Sequence, residues 1–471
     1  MAGLLIAVML LGACTTIPTS AVTETATNAS SASSNNSQPP SGAPPSGTPG
    51  ANPSGVPGGN APGGSTSSVT LSGAYTVNGQ TVTETGKTYA AGGTDQSSVY
   101  VENGGNLTLD QATVTSSSAS SSSDNSSFYG LNAGVLVGAG SSLTITHSTV
   151  VTKGDGANGV FATGTGANIS ISDSSITVMG QYAHGIMATQ GGTITANNVD
   201  MSTAGASSGA IATDRGGGII NIVGGMIATT GANSPGIYST GDITVDSAEI
   251  SASGSEAAVI EGANSISLID TTLTTTFDNK WGVMIYQSMS GDAAGTEGTF
   301  TMSGGTLEDT AQNGPLFYVT NSTGVIQLEQ VAMTTGSGIL IKAAAGNWGT
   351  SGGNGGTVYL TADKQTMSGD IVADNISSVS VILQNNSVWT GAINADKTAN
   401  QASISLDGTS QWIVTADSYL TGFSDDAGIS GTTVTNIIGN GHTVYYNASA
   451  NTVLGGQTYS LSGGGTLTPM N

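Results

Sequence analysis

The sequence predicts an all-β fold: a right-handed parallel β-helix of roughly 12–15 rungs of about 25 residues each, preceded by a disordered N-terminal stalk. The prediction depends on two interleaved sequence templates that recur with one period, and on the lack of any helical periodicity. Successive glycines of the second template are 25, 26, 24 and 27 residues apart. Self-similarity on this scale is typical of solenoids, propellers and repeat arrays.

The first template reads apolar, any residue, apolar, four residues, apolar. Its alternation is typical of a strand with one buried face. The four intervening residues include turn formers such as His147-Ser148, Asp173-Ser174 and Gly304-Gly305. The copies of this template are Leu107-Leu109-Val114, Leu143-Ile145-Val150, Ile169-Ile171-Ile176, Ile220-Ile222-Ile227, Ile243-Val245-Ile250, Ile266-Leu268-Leu273 and Phe300-Met302-Leu307.

The second template is a glycine followed by a short apolar run, and it places two apolar columns side by side. One column contains Val135, Val160, Ile186, Ala210 and Ile237, and the other contains Leu136, Phe161, Met187, Ile211 and Tyr238. A strand of period two points one of these columns outward, which would form an apolar stripe for protein or glycan contact. A bend at the glycine or a covering loop would instead bury both columns, and the sequence leaves these alternatives open.

The period and the strand lengths decide among the repeat architectures. Each period contains three short strand-like pieces, whereas a propeller blade needs about 40 residues and a leucine-rich repeat needs its Leu/Asn ladder. Three strands per turn predict a triangular β-helix with rungs stacked about 4.8 Å apart. Longer steps at residues 115–128, 286–298 and 343–356 are Ser- or Gly-rich and predict loops that project from the rod.

Four regions follow along the chain. Residues 1–13 have the short apolar run of a signal peptide, and residues 14–68 form a linker too rich in Ser, Pro and Gly to fold. Residues 69–440 form the β-helix, and residues 441–471 are the candidate C-terminal cap. The segment Leu11-Gly12-Ala13-Cys14 resembles the bacterial lipobox, which implies that Cys14 is the lipid attachment site of an exported protein.

Residues 381–391 and 410–415 each place a tryptophan, Trp389 or Trp412, after a polar turn. The stretch of about residues 380–422 resembles the end of the β-helical passenger of pertactin-type autotransporter adhesins. This resemblance implies adhesion or surface display and carries no shared catalytic residues. We therefore expect an adhesin-like or surface-structural protein at the outer membrane or cell surface, held through its lipidated N-terminus and binding a glycan or protein on another surface.

Charge and composition make other functions less favourable. With 30 acidic residues against 7 basic ones, the formal charge is −23, which disfavours nucleic acid as a partner. A polysaccharide lyase needs a cationic base, and we expect Arg215, the only arginine, to pair with its neighbour Asp214. A glycoside hydrolase needs two facing carboxylates. The candidates for such a pair are Asp242, Asp246 and Glu249, or Glu256 and Glu261.

We expect no enzyme, no cofactor and no metal centre, although residues 152–156 are a weak candidate for a structural calcium site. An ice-binding function would need a regular Thr-x-Thr array. Thr144-Ile145-Thr146 and Thr193-Ile194-Thr195 fit such an array, but Ser170-Ile171-Ser172 breaks it. The binding surface is expected at the outward apolar column and nearby loop aromatics, with Phe161, Tyr238, Trp281 and Tyr286 as ligand-binding residues.

Overall fold

The computed structural model describes residues 69–278, 280–425 and 427–470. They form a parallel β-solenoid of about 16 turns, which confirms the predicted β-helix. The predicted signal peptide and linker, residues 1–13 and 14–68, lie outside the described residues.

Twelve parallel strands form one side of the solenoid, which we name sheet A. Its strands are Ser72–Asn78, Gln96–Glu102, Val135–Val137, Val160–Thr163, Ile186–Thr189, Ile211–Thr213, Ile237–Ser239, Ala258–Glu261, Val283–Tyr286, Phe317–Thr320, Ile339–Ala343 and Asp370–Ala373.

The other two sides, faces B1 and B2, share the long strands Asn168–Val178 and Gly192–Thr203, which continue around the corner between them. Face B1 also contains Thr81–Thr85, Asn106–Asp110, Ser142–Thr146, Gly218–Val223, Asp242–Asp246, Ser265–Ile269, Glu297–Ser303, Ser322–Glu329, Gly356–Asp363, Ser378–Gln384, Gln401–Leu406 and Gly422–Ser424. Face B2 also contains Thr88–Ala91, Thr113–Ser116, Thr149–Thr152, Met226–Thr229, Glu249–Ala252, Thr272–Thr275, Thr306–Asp309 and Ala332–Thr335.

A nine-stranded sheet C forms the C-terminal part of the solenoid. Its strands are Thr366–Ser368, Val388–Gly391, Gln411–Val414, Ser418–Leu420, Ile429–Ser430, Thr433–Ile438, Thr443–Tyr446, Tyr459–Ser462 and Thr466–Pro469. The last two strands pair antiparallel with each other, while Thr443–Tyr446 continues a parallel ladder. Residues 441–470 therefore add solenoid strands, which is one reason why the turns exceed the predicted 12–15. Their capping role stays a prediction.

The corner between faces B1 and B2 explains the turn formers of the first template. One residue in each rung adopts a left-handed backbone conformation there, which Gly, Asn and Asp tolerate best. The column consists of Gln111, His147, Asp173, Asn198, Gly224, Ser247, Asp270, Gly304 and Gln330, and it continues with Lys364 and Asn385 where face B1 leads into sheet C. Because one left-handed residue bends the chain without breaking the ladder, the apolar residues on both sides of the corner point inward.

The core is a continuous column of side chains enclosed by the three sides. The first-template residues are buried in it, as the alternation predicts; Leu107, Leu109 and Val114 are fully buried. Towards the C-terminus the core side chains become larger. Trp389 and Trp412 stack with ring centroids 5.3 Å apart, and their indole N–H groups donate to the carbonyl oxygens of Gly369 and Gly391.

Candidate functional site

Sheet A carries a second apolar layer on its outer surface. The ladder register places one outward column along nine consecutive strands, formed by Tyr100, Leu136, Phe161, Met187, Ala212, Tyr238, Val259, Met284 and Tyr318. All of these side chains are buried except that of Tyr238, which is half-buried. The outer column is therefore covered rather than exposed as a stripe.

The register also corrects one rung of the predicted columns. Ile211 pairs with Ile186 and Ile237 and faces the main core, while Ala212 takes the outward position. The prediction placed Ala210 in the inner column and Ile211 in the outer one. The reason for the shift is local: here the strand begins at Ile211, two residues after Gly209 instead of one.

Phe161 was predicted as a binding residue, but its side chain has no exposed surface. Residues 117–134 fold over it and contain the helix Ser123–Tyr129. Gly130, in a left-handed conformation, lies so close that an added Cβ would come within 2.7 Å of the Phe161 ring. The Thr189 hydroxyl donates to the Phe128 carbonyl oxygen at 2.9 Å, which fixes the end of the helix to sheet A. Phe161 thus belongs to a core, not to a surface.

The second long loop, residues 287–296, is held to sheet A by a buried carboxylate. Glu261 ends the strand Ala258–Glu261 and is only 1% exposed. Its carboxylate accepts hydrogen bonds from the hydroxyls of Tyr238, Tyr286 and Ser288, the Tyr286 bond measuring 2.8 Å. Burial, followed by the nearby acidic and phenolic groups, raises the pKa of both tyrosines. These tyrosines therefore stay neutral donors and fix the loop.

Arg215 connects the first two covering segments. Its Nη2 lies 2.8 Å from Asp292 Oδ1 in the second loop, and its guanidinium carbon lies 3.8 Å from the centre of the Phe128 ring in the first segment. The predicted side-chain pair with Asp214 is wrong; Asp214 instead accepts the backbone N–H of Arg215 at 2.7 Å. The longer rung brings Asp292 within reach of the guanidinium, which the local sequence does not reveal.

Asp214 is the most perturbed carboxyl of this region. Burial is the main reason why its pKa rises to about 7, and the charges of Asp292 and Glu261 add to that rise. The backbone N–H of Arg215 opposes the shift. A carboxyl of this kind can hold or release a proton near neutral pH. Arg215, by contrast, is a poor candidate for a free cationic base because Asp292 and Phe128 occupy its guanidinium.

Two tryptophans lie over the next rungs of the same surface. Trp281 stacks on Tyr318 with a centroid distance of 4.3 Å, and Trp348, from the third long loop, lies 4.8 Å from the Tyr286 ring. The side-chain amide of Asn354 donates to the Trp348 carbonyl oxygen at 2.9 Å and shapes that loop. Both tryptophans remain half-buried. We name Trp281, Tyr286 and Trp348 the aromatic platform.

The predicted binding residues are thus only partly brought together. Tyr238 and Tyr286 meet at Glu261, with their hydroxyl oxygens 3.4 Å apart, and Trp281 lies nearby. Phe161 lies three rungs from Tyr238, and Cys14 lies outside the described residues. The sequence reasoning missed Phe128, Asp292, Tyr318 and Trp348. Extending the outward column by three rungs beyond Tyr238 would have found Tyr318, but nothing periodic marks the other three residues.

Several other predicted features can be located. In the described ranges, no three His, Cys, Asp or Glu side chains form a group that could hold a metal ion. Asp155, in the candidate calcium loop, accepts the backbone N–H of Gln181 at 2.9 Å. The hydrolase candidates Asp242, Asp246 and Glu249 are at least partly solvent-accessible, whereas Glu256 is buried and pairs with Lys280 at 3.0 Å. No helix of the described residues is both long and apolar enough to cross a membrane.

The array considered for ice binding lies on the outer surface of face B1. Thr144, Ser170 and Thr195 are direct neighbours in its ladder, and Asn221 follows them. The column is therefore irregular in side-chain size, and this irregularity disfavours a repeating match to the surface of an ice crystal. No protein-family model matches this chain, and no curated protein sequence matches it at a significant level.

Proposed function

We propose that the protein is a lipid-anchored, adhesin-like surface protein that binds a glycan or a protein on another surface through the aromatic platform. The observation that carries this proposal is the position of the three long loops. All three pack on sheet A, where they build a non-repeating surface on an otherwise regular solenoid. Binding residues are commonly carried by loops on a rigid scaffold.

The chemistry of the platform supports binding rather than mere coverage. The half-buried Trp281 indole lies 5.7 Å from the ammonium group of Lys280, which binds the Glu256 carboxylate at 3.0 Å. Tryptophan supplies a large contact area at low entropic cost and dominates many protein interfaces. Stacking of Trp281 on Tyr318 and the tilted ring contact of Trp348 with Tyr286 hold the indoles in place before a ligand arrives, which lowers the cost of ordering them.

The test is attachment of the full chain to glycan and host-protein arrays. Trp281→Ala with Trp348→Ala is expected to weaken binding by more than about tenfold, because such anchors contribute about 2 kcal/mol or more each. Tyr182→Ala is the matched control, since Tyr182 is 44% exposed and lies four rungs from the strand Val283–Tyr286. Equal binding by the double variant and the control would contradict the proposal.

The anchor is proposed from the lipobox resemblance at Cys14. Metabolic labelling with palmitate is expected to mark the wild-type chain, and the label is expected to be lost in Cys14→Ser. Labelling that persists in this variant would refute attachment at Cys14. The outcome is independent of the platform, because lipidation and ligand binding are measured separately.

One observation favours a second candidate function, polysaccharide hydrolysis. Asp214, with its pKa of about 7, lies in the field of Glu261 and Asp292, and a raised pKa next to other carboxylates is typical of the general acid of a glycosidase. Against it, Glu261 already accepts three side-chain hydrogen bonds. Release of reducing ends from a polysaccharide by the wild-type chain, abolished by Asp214→Asn, would establish hydrolysis. No release by the wild-type chain would refute hydrolysis and leave binding as the proposed function.

A further inference from the structure

A shallow groove crosses the outer surface of face B1, well separated in the fold from the loops on sheet A. It consists of two neighbouring depressions of about 420 Å³ and 240 Å³. The strand Gly356–Asp363 lines both of them, with Thr361 and Asp363 in the larger depression and Thr357 and Tyr359 in the smaller one. The two depressions involve six successive strands, and five rung spacings of about 4.8 Å give a track of about 24 Å.

The ladder register determines which side chains face the groove. One outward column contains Ser267, Thr301, Gln327 and Thr361 in successive rungs. The column beside it contains Val325, Tyr359, Ser380 and Ser403. Tyr359 is 52% exposed because its ladder neighbours are smaller than a phenol ring. Its ring therefore stands above the sheet at the smaller depression.

Thr301 donates to the Ser267 hydroxyl at 2.9 Å, but other polar groups of this track are not used by the protein itself. Within the part of the chain that the structure describes, the side chains of Gln327, Tyr359, Thr361, Ser380 and Gln401 make no hydrogen bonds to other protein groups. Hydroxyls and amides both donate and accept, so together they match the hydroxyl groups of a sugar chain. An exposed aromatic ring adds an apolar face against which the C–H side of a sugar ring can pack.

The charges at the groove indicate the ligand's charge. Its ionised groups are Glu329 and Asp363, and Lys364 lies 2.8 Å from the Glu329 carboxylate and 3.7 Å from that of Asp363. This small network leaves the groove slightly negative, on a chain with a formal charge of −23. A polyanion would be repelled here, whereas an uncharged ligand would not.

We propose that this groove binds a neutral polysaccharide chain that lies across the rungs, with a sugar ring stacked on Tyr359. Gln327, Thr361 and Ser380 hydrogen-bond its hydroxyl groups along the track. The site is separate from the aromatic platform, so the protein carries two binding surfaces on different sides of the solenoid. This proposal goes beyond adhesion through the platform and does not depend on it.

The test is affinity electrophoresis of the full chain in native gels that contain hydroxyethyl cellulose, galactomannan or polygalacturonate. We expect at least one of the two neutral polymers to retard the wild-type chain, and polygalacturonate not to retard it. Tyr359→Ala is expected to weaken the retardation about tenfold, as for the loss of a stacking anchor. Gln327→Ala is expected to weaken it less, and Tyr182→Ala is the control and should migrate as the wild type does.

Either of two results with the neutral polymers would overturn the proposal: no retardation of the wild-type chain by either polymer, or equal retardation of wild type and Tyr359→Ala. Stronger retardation by polygalacturonate would reverse the charge argument and overturn it as well. Trp281→Ala with Trp348→Ala keeps Tyr359 and the groove intact, so comparing it with Tyr359→Ala separates any retardation through the platform from retardation through the groove. The tryptophan double variant tests the platform and Tyr359→Ala tests the groove, so failure of one proposal is distinguished from failure of the other. Matching circular dichroism spectra ensure that each variant is folded.

Discussion

Asp309→Asn should stabilise the solenoid at neutral pH. Asp309 ends the strand Thr306–Asp309 on face B2 and is only 1% exposed. Burial is the main cause that raises its pKa to about 6, and the charge of Asp278 raises it further, while the backbone N–H of Ala311 opposes the shift. The Oδ2 atom has no hydrogen-bond partner within the described residues. The ionised form is thus poorly accommodated.

The size of the effect follows from proton linkage. The pKa is about 6 in the folded chain against 3.8 for an unperturbed aspartate, so the folded state binds this proton more tightly. The stabilisation is fully present below about pH 3.8 and is lost as the pH rises through 6. At about 1.36 kcal/mol for each pKa unit, a difference near two units corresponds to about 3 kcal/mol between acid and neutral pH. Asparagine does not ionise and avoids this cost.

Thermal unfolding followed by circular dichroism at pH 4 and pH 7.5 measures the difference. The free energy of unfolding of Asp309→Asn minus that of the wild type should be about 2–3 kcal/mol larger at pH 7.5 than at pH 4. Asp407→Asn is the matched control, because hydrogen bonds lower the pKa of that carboxyl. The stability of Asp407→Asn relative to the wild type should therefore fall as the pH rises through the acid range below pH 4, which is the opposite sense, and should change little between pH 4 and pH 7.5. A pH-independent difference for Asp309→Asn would refute the reasoning.

Three further predictions concern packing. Trp412→Ala should lower the free energy of unfolding in urea by about 3–5 kcal/mol, because removing a fully buried indole leaves a cavity. Trp348→Ala should lower it by less than half as much, and similar losses for the two variants would contradict the difference in packing. Arg215→Ala should change stability by about 1 kcal/mol or less, since its ion pair is exposed, yet speed hydrogen exchange in residues 287–296. Glu261→Ala should speed hydrogen exchange in residues 287–296 more than Arg215→Ala does, because it leaves three hydroxyls without their acceptor. The reverse order would argue against Glu261 as the residue that holds this loop to sheet A.

The regular part of the fold could be predicted from the sequence because its determinants are local. The alternation in Ile169-Ile171-Ile176 fixes which side chains point inward, and Asp173 between them supplies the left-handed corner residue. Both signals lie within eight residues and recur with the period of the solenoid. Errors arose where a rung lacks the local signal, as at Ile211, where the distance between the glycine and the strand changes by one residue.

The candidate site could not be predicted to the same extent, because it is built from contacts between distant rungs. Arg215 and Asp292 are 77 residues apart, and the Thr189 hydroxyl reaches a carbonyl 61 residues away. Neither pair has a fixed sequence spacing, since the loops that carry Phe128 and Asp292 do not repeat. Tyr238 was found because it lies on a strand of the second template, whereas Tyr286 was predicted as a loop aromatic and in fact ends the strand Val283–Tyr286.

The covered outer column nevertheless follows from a physical argument that combines both kinds of information. An outward column of residues such as Leu136, Phe161 and Met187 would expose an apolar strip over several rungs, which soluble surfaces rarely present. Three non-repeating loops in the same chain are the natural cover, and each is joined to a rung of sheet A. An apolar column and long insertions therefore predict each other's location. On that ground, aromatic and charged residues within the insertions are better candidates for a binding surface than the column itself.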